Sequence, residues 1–156
     1  MQIEIDPVSE VPLYQQLRDR VVEAIANGEL SPGDQLASVR QLAVAFGINV
    51  ATVSKGYELL RREGLIRTNQ KSGSVVARGP DSGPAVAGFF DEWTTRLRTL
   101  LAEADAHGVP DEQLVTATRT ILQEFTAARA TTSPHGDRPD GGDDTDAQSG
   151  DKGVLR

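Results

Sequence analysis

A chain of 156 residues with a formal net charge of −7 has room for one domain or two small ones. It contains no cysteine, which excludes disulfides and thiolate-held zinc or iron–sulfur sites. No apolar run approaches the ~18 residues needed to cross a bilayer, and the acidic opening MQIEIDPVSEV lacks the apolar core of a signal peptide, so a cytoplasmic protein with no membrane partner is expected.

Residues 1–11 open with the alternating QIEI, a short strand that Pro7 breaks. Pro12 suits the first turn of a helix. Leu13, Leu17, Val21, Ala24 and Ile25 follow as its apolar stripe, and Gly28 stops it. Ser31-Pro32-Gly33-Asp34 is a turn. The spacing predicts a second helix over 38–46. Ser38 is its N-cap, and Val39, Leu42, Ala43 and Phe46 form its inward face. A Gly-containing turn over 47–49 leads to a third helix over 50–63, which stops at Gly64. There Val50, Val53, Tyr57 and Leu60 point inward, and Ala51, Thr52, Lys55, Glu58 and Arg62 point outward. Two β-prone runs, LIRT over 65–68 and SVVA over 74–77, flank a polar turn over 69–73. Helix, turn, helix and hairpin in this order make a winged helix-turn-helix.

Gly79-Pro80-Asp81-Ser82-Gly83-Pro84 is a linker by composition. Residues 85–130 carry two amphipathic stripes. The first runs through Phe89 or Phe90, Trp93, Leu97, Leu100 and Leu101, and the second through Leu114, Thr118, Ile121, Leu122 and Phe125. His107-Gly108-Val109-Pro110 joins them, with Gly closing one helix and Pro opening the next. A hairpin of this size is near the limit for independent folding, so its apolar faces need a partner. Residues 131–156 are polar, acidic and rich in Gly and Pro, and are expected to be disordered. The expected fold is therefore mainly α with a small β-wing. A DNA-binding domain spans 1–78, a linker 79–84, a dimerisation hairpin 85–130 and an acidic tail 131–156.

Charge picks out one region. From 35 to 78 there are seven basic residues (Arg40, Lys55, Arg61, Arg62, Arg67, Lys71, Arg78) against Glu58 and Glu63, a net +5 within an acidic chain. Such an island on a helix-turn-helix frame is the footprint of phosphate contact.

Two runs carry a family resemblance. LASVRQLA (36–43) resembles the LPSVRELA signature of the GntR family of bacterial transcription regulators. GINVATVSKGYELLRREGLI (47–66) resembles that family's recognition helix. Asn49-x-x-Thr52-Val53-Ser54-Lys55 and the short two-helix C-terminal part are most similar to its YtrA subgroup. PLYQQLRDRVVEAIANGELSPGDQL (12–36) matches the family's first helix and loop. The resemblance implies a homodimer acting as a repressor, often of transport genes. Position 50 is Val where many members have Arg or Pro, and position 51 is Ala where Asn is common. The wing reads Lys71-Ser72-Gly73-Ser74 where Gly-x-Gly-Thr is usual.

The candidate DNA contacts are Ser38, Arg40, Asn49, Ala51, Thr52, Lys55, Lys71, Ser72 and Gly73. Lys55 can reach guanine O6/N7 or a phosphate, against the plain alternative of a solvated lysine. Ala51 and Thr52 lie near the helix start, where base edges are met; Thr52 can equally bond its own backbone. Ser38 is first a cap, and a helix N-terminus also offers N–H groups to phosphate. Arg40 matches the family's DNA-contacting arginine. Lys71, Ser72 and Gly73 suit a wing tip on the backbone or minor groove, although wing tips are polar in any case.

Phe89, Phe90, Trp93, Leu97, Leu100, Ile121 and Phe125 read as a dimer interface rather than a stacking cage. His107 and His135 are isolated and make no metal site. No catalytic motif is present, so neither enzyme chemistry nor a cofactor is expected. The expected partners are an operator in double-stranded DNA and a second copy of the chain. The sequence leaves room for a small-molecule effector that it does not identify. The rival reading is a winged-helix adaptor that binds protein rather than DNA.

Overall fold

The first helix starts where proline sets the backbone. Pro12 (φ −55°, ψ 138°) is the N-cap, one position before the first turn, and its carbonyl accepts from Gln15 and Gln16. The structure, a computed structural model, describes residue 6, residues 8–69 and residues 73–132. The expected strand in residues 1–5 and the break at Pro7 lie outside the described residues.

Helix α1 is Leu13–Ala26, α2 Val39–Phe46 and α3 Val50–Arg62. Strands β1 (Ile66–Asn69) and β2 (Gly73–Val76) form the wing, and α4 (Phe89–Ala106) and α5 (Asp111–Thr132) form the C-terminal hairpin. The mainly helical fold with a two-stranded wing is as the sequence implies. Each strand sits one residue away from its expected bounds. The ladder pairs Ile66 with Val76 and Asn69 with Gly73, which puts both Ile66 and Val76 into the core.

The core is a single cluster. Leu17, Val21, Ala24 and Ile25 of α1 meet Leu42 and Ala43 of α2, Val53, Tyr57 and Leu60 of α3, and Ile66 and Val76 of the wing. These are the stripe residues the helical period picks out. Val50 is the exception: it was expected inward, and at the first position of α3 it is exposed. Gly56, on the other hand, is buried. A Cβ there would stand 3.0 Å from the Tyr14 carbonyl oxygen and 3.1 Å from Leu17 Cδ2, so α1 and α3 touch backbone to backbone.

The turn after Leu30 does more than connect. Leu36 N donates to Ser74 O at 2.9 Å, Gly33 N to Val76 O at 2.9 Å and Val76 N to Asp34 O at 2.9 Å, with a bridge between Gln35 and Val75. Residues 33–36 thus line the open edge of β2, leaving fewer unpaired edge groups.

Arg18 of α1 closes the far end of α3, with Nη2 2.8 Å from Glu63 Oε2 and Nη1 3.0 Å from Asp19 Oδ1. Burial works against its charge, but hydrogen bonds to the two carboxylates outweigh it and raise its pKa.

Tyr57 lies in the middle of the core at 1% exposure, and its hydroxyl donates to the Ala37 carbonyl at 2.7 Å. Desolvation pushes the phenol up from 10.0 to about 12. The fold therefore favours the neutral phenol. That stabilisation is complete below pH 10 and disappears as pH rises through 12. Tyr57→Phe should cost about 1 kcal/mol at neutral pH for the lost hydrogen bond. The gap between parent and variant should close or reverse as the pH passes from 10 to 12. Urea denaturation of both proteins at pH 8 and above pH 11 checks this, and a gap that does not change with pH would contradict it.

Candidate nucleic-acid interface

Two helix starts and the link between them form the outward face of the winged helix. Ser38 caps α2: its Oγ accepts from Gln41 N at 3.2 Å, and Gln41 Oε1 accepts from Ser38 N at 2.8 Å. This reciprocal box holds the first turn rigid. It engages Ser38 as an acceptor and leaves its O–H proton to a partner. Gly47, at φ +62°, then turns the chain; Ile48 N bonds back to Ala43 O at 3.0 Å. A residue with a side chain would resist that backbone. Asn49 caps α3, accepting from Ala51 N at 2.8 Å. Sequence reasoning placed Asn49 among the DNA contacts and not among the caps. Its Oδ1 is engaged in the fold, and its amide NH₂ remains to donate.

From these caps α3 presents Ala51, Lys55, Glu58 and Arg62 on one exposed stripe, with Thr52 half-buried beside it. Thr52 was expected on the outward face, and it is only partly exposed. Arg40 is exposed on α2. Lys55 is exposed too, but its ammonium sits 3.8 Å from the centroid of the Tyr14 ring on α1. Sequence reasoning did not include Tyr14. Nothing local marks a ring 41 positions before Lys55 as its neighbour, because only the α1–α3 packing brings them together.

The basic island divides in three dimensions. Arg61 pairs with Glu58 at 3.6 Å, and Glu63 is neutralised by Arg18 from outside the island. Arg78 turns away to donate to the Gly83 carbonyl at 2.8 Å. Among the described residues, Arg40, Arg62 and Arg67 form no ion pair. Gly73 begins β2 at φ +70° and is exposed. Lys71 and Ser72, the other wing-tip candidates, lie outside the described residues.

Residues 13–76 match the sequence model of the bacterial regulatory proteins of the gntR family. The HTH-type transcriptional repressor YtrA of Bacillus subtilis is 37% identical over 112 residues, which are 72% of this chain and 85% of that protein. The chain belongs to the GntR family. Its kinship is YtrA-like, and it is a DNA-binding transcription regulator. The transcriptional regulator Rv1152 of Mycobacterium tuberculosis is 30% identical over 67% of this chain and 87% of its own length. Among solved structures, YtrA of Sulfolobus acidocaldarius, a GntR-family transcription factor, aligns with a TM-score of 0.52 and 39% identity, covering 67% of this chain and 97% of that one. A transcriptional antiterminator from Listeria monocytogenes EGD-e aligns with a TM-score of 0.72 and 26% identity, covering 80% and 92%.

The hairpin residues are on the surface of the single chain. No residue of α4 or α5 is buried. Phe89, Phe90, Trp93, Leu100 and Ile121 are exposed, while Leu97 and Phe125 are half-buried. Phe90 and Trp93 stack with centroids 5.9 Å apart. No cluster of metal-ligating side chains occurs among the described residues, and no described helix is long and apolar enough to cross a membrane. α5 continues to Thr132, so the first two residues of the expected tail are helical; the remainder, 133–156, lies outside the described residues.

The Lys55–Tyr14 contact is open to a direct test. An exposed cation over a ring is worth about 0.5–1 kcal/mol. A double-mutant cycle of Tyr14→Leu and Lys55→Met, read by urea denaturation, should return a coupling of that size. A coupling of zero would mean that the ammonium does not rest on the ring in solution.

Proposed function

We propose that this regulator acts as a homodimeric repressor. It sits on a pseudo-palindromic operator and excludes polymerase. Each winged helix lays the start of α3 into a major groove, with Lys55 and Ala51 at base edges and Arg40 on phosphate or base. The N-termini of α2 and α3 offer amides that lack helical acceptors to the backbone. Half-sites should lie about one helical turn apart. The name of the Bacillus subtilis relative supports repression as the direction of control.

One observation carries the dimer. The winged helix has a complete core of its own, while α4 and α5 leave every residue at least partly exposed within the chain. Large apolar side chains left in water at this density lack a partner surface. A second hairpin offers the same stripe, as a two-fold interface requires. The protein-adaptor reading has no comparable observation in its favour.

Two outcomes follow. Lys55→Ala and Arg40→Ala should each cost about 1–3 kcal/mol of binding to a duplex selected by the full chain, with melting temperatures near the parent's. If both variants bind like the parent in fluorescence anisotropy at fixed salt, the docking of α3 is wrong. Trp93→Ala/Leu97→Ala should sediment as a folded monomer at micromolar concentration and lose operator affinity by orders of magnitude, since each head then binds alone. A parent that itself sediments as a monomer while protecting two half-sites would refute the dimer.

A further inference from the structure

The winged helix and the hairpin meet at a second place besides the chain that joins them. Arg129, near the end of α5, donates from Nη1 to the Ala26 carbonyl at 2.7 Å, across 103 positions of sequence. Ala26 is the last residue of α1, so its carbonyl is one of the acceptors a helix leaves without an internal donor. The negative end of the helix dipole lies there too, and α1 has no basic residue in its own last turn. Arg129 supplies that cation from the other half of the chain. Its Nη2 lies 3.3 Å from Thr126 Oγ1, which holds the guanidinium against its own helix. The stem of the side chain rests on Gly28. A Cβ there would stand 3.1 Å from Arg129 Cγ and 3.4 Å from its Cα.

The covalent connection is fastened separately. Arg78 donates to the carbonyls of Gly83 and Pro84, folding the segment after β2 back on itself. Gly79 lies so close to Pro32 that a Cβ would meet Pro32 Cδ at 3.2 Å. Between these two attachments is an open cleft lined by Ile25, Leu30, Pro32, Pro80 and Asp81. The junction is therefore not a packed interface. It is held at two points with space between them. A body fastened only at its linker can pivot, and a second fastening removes the pivot.

We propose that Arg129 is a positioning residue that fixes the angle of the winged helix on the hairpin, and so sets the half-site spacing the protein accepts. The inference rests on the homodimer proposed above. Adding one base pair shifts a half-site by about 3.4 Å and turns it by roughly 35° about the DNA axis. Two heads held at a fixed angle cannot follow that displacement, whereas two heads that pivot on their linkers can.

The test uses the full chain with Arg129→Met, which keeps the stem over Gly28 and removes the donors, and Arg129→Lys, which keeps a cation. The probes are duplexes bearing the operator selected by the parent, the same sites moved apart or together by one and two base pairs, and a single half-site. The parent should prefer its selected spacing by roughly 100-fold, within the range avidity gives. Arg129→Met should still sediment as a dimer and bind the single half-site like the parent. Its preference for the selected spacing should fall at least 10-fold, through weaker binding there and better binding to shifted sites. Arg129→Lys should recover part of that preference. A role in stability alone would weaken all duplexes together and leave the preference intact. If dimeric Arg129→Met discriminates spacing as sharply as the parent, the latch is overturned. If the parent binds each half-site independently, the homodimer reading fails, and the spacing role with it.

Discussion

At Gly56 the backbones of α1 and α3 come so close that one added carbon would meet the Tyr14 carbonyl oxygen at 3.0 Å. That approach positions the helix proposed to read DNA. Leu17 and Val21 on one side and Val53, Tyr57 and Leu60 on the other fill the space around it, all at 1% exposure or less. With one face of α3 fixed so closely, the direction of its other face follows. Ala51, Lys55, Glu58 and Arg62 project outward because Val53, Tyr57 and Leu60 cannot. The same approach puts the Tyr14 ring under the Lys55 ammonium and brings Arg18 to Glu63. Core packing and surface chemistry are thus one arrangement seen from two sides.

The surface charge is sharper than the sequence count. Within an acidic chain, the two acids of segment 35–78 are both compensated, Glu63 by Arg18 and Glu58 by Arg61. Arg78 is engaged in the linker turn. Among the described residues, the charge that remains toward a phosphate backbone is that of Arg40, Lys55, Arg62 and Arg67. A small number of cations means few counterions released, and hence moderate non-specific affinity. An acidic remainder works in the same direction, since it repels DNA wherever the reading face is not engaged. Selectivity then depends on geometry, on the caps at Ser38 and Asn49 that fix the two helix starts.

Much of the fold was legible from local rules. Gly28, Gly47 and Gly64 lie at or just beyond the ends of α1, α2 and α3, and Ser38 caps where an N-cap residue precedes an apolar period. The buried stripes of α1 and α3 followed from spacing, except that Val50, the first residue of α3, is exposed. Both strands lie one residue nearer the turn than LIRT and SVVA suggest, but the pairing those runs imply, Ile66 opposite Val76, is kept, and Ala77 N still bonds to Leu65 O. What stayed hidden is tertiary. Gly56 reads as a flaw in a helix until α1 lies against it. Arg78 reads as one more cation for DNA, and Arg129 as a helix-surface charge. Their partners are a folded linker and a carbonyl 103 positions away. Polar contacts of that range carry no periodic signal, so no single-sequence pattern could have revealed them.

Burial divides the chain into a head that completes its own core and a hairpin that does not. That asymmetry has a consequence for control. In the proposed dimer, the free energy that holds two heads together comes from side chains such as Phe89, Phe90 and Trp93, which contribute nothing to the stability of either head. Association must first offset the lost freedom of two chains, so the dimer is sensitive to small changes in hairpin packing. The operator amplifies that sensitivity, because the second head binds at an effective concentration that exists only while the hairpins are joined. In the proposed dimer the fold thus separates recognition, assigned to the caps and the outward face of α3, from occupancy, assigned to α4 and α5. In this proposal the two communicate at the junction of Ala26 and Arg129, where a hydrogen bond joins the end of α1 to α5 across both halves.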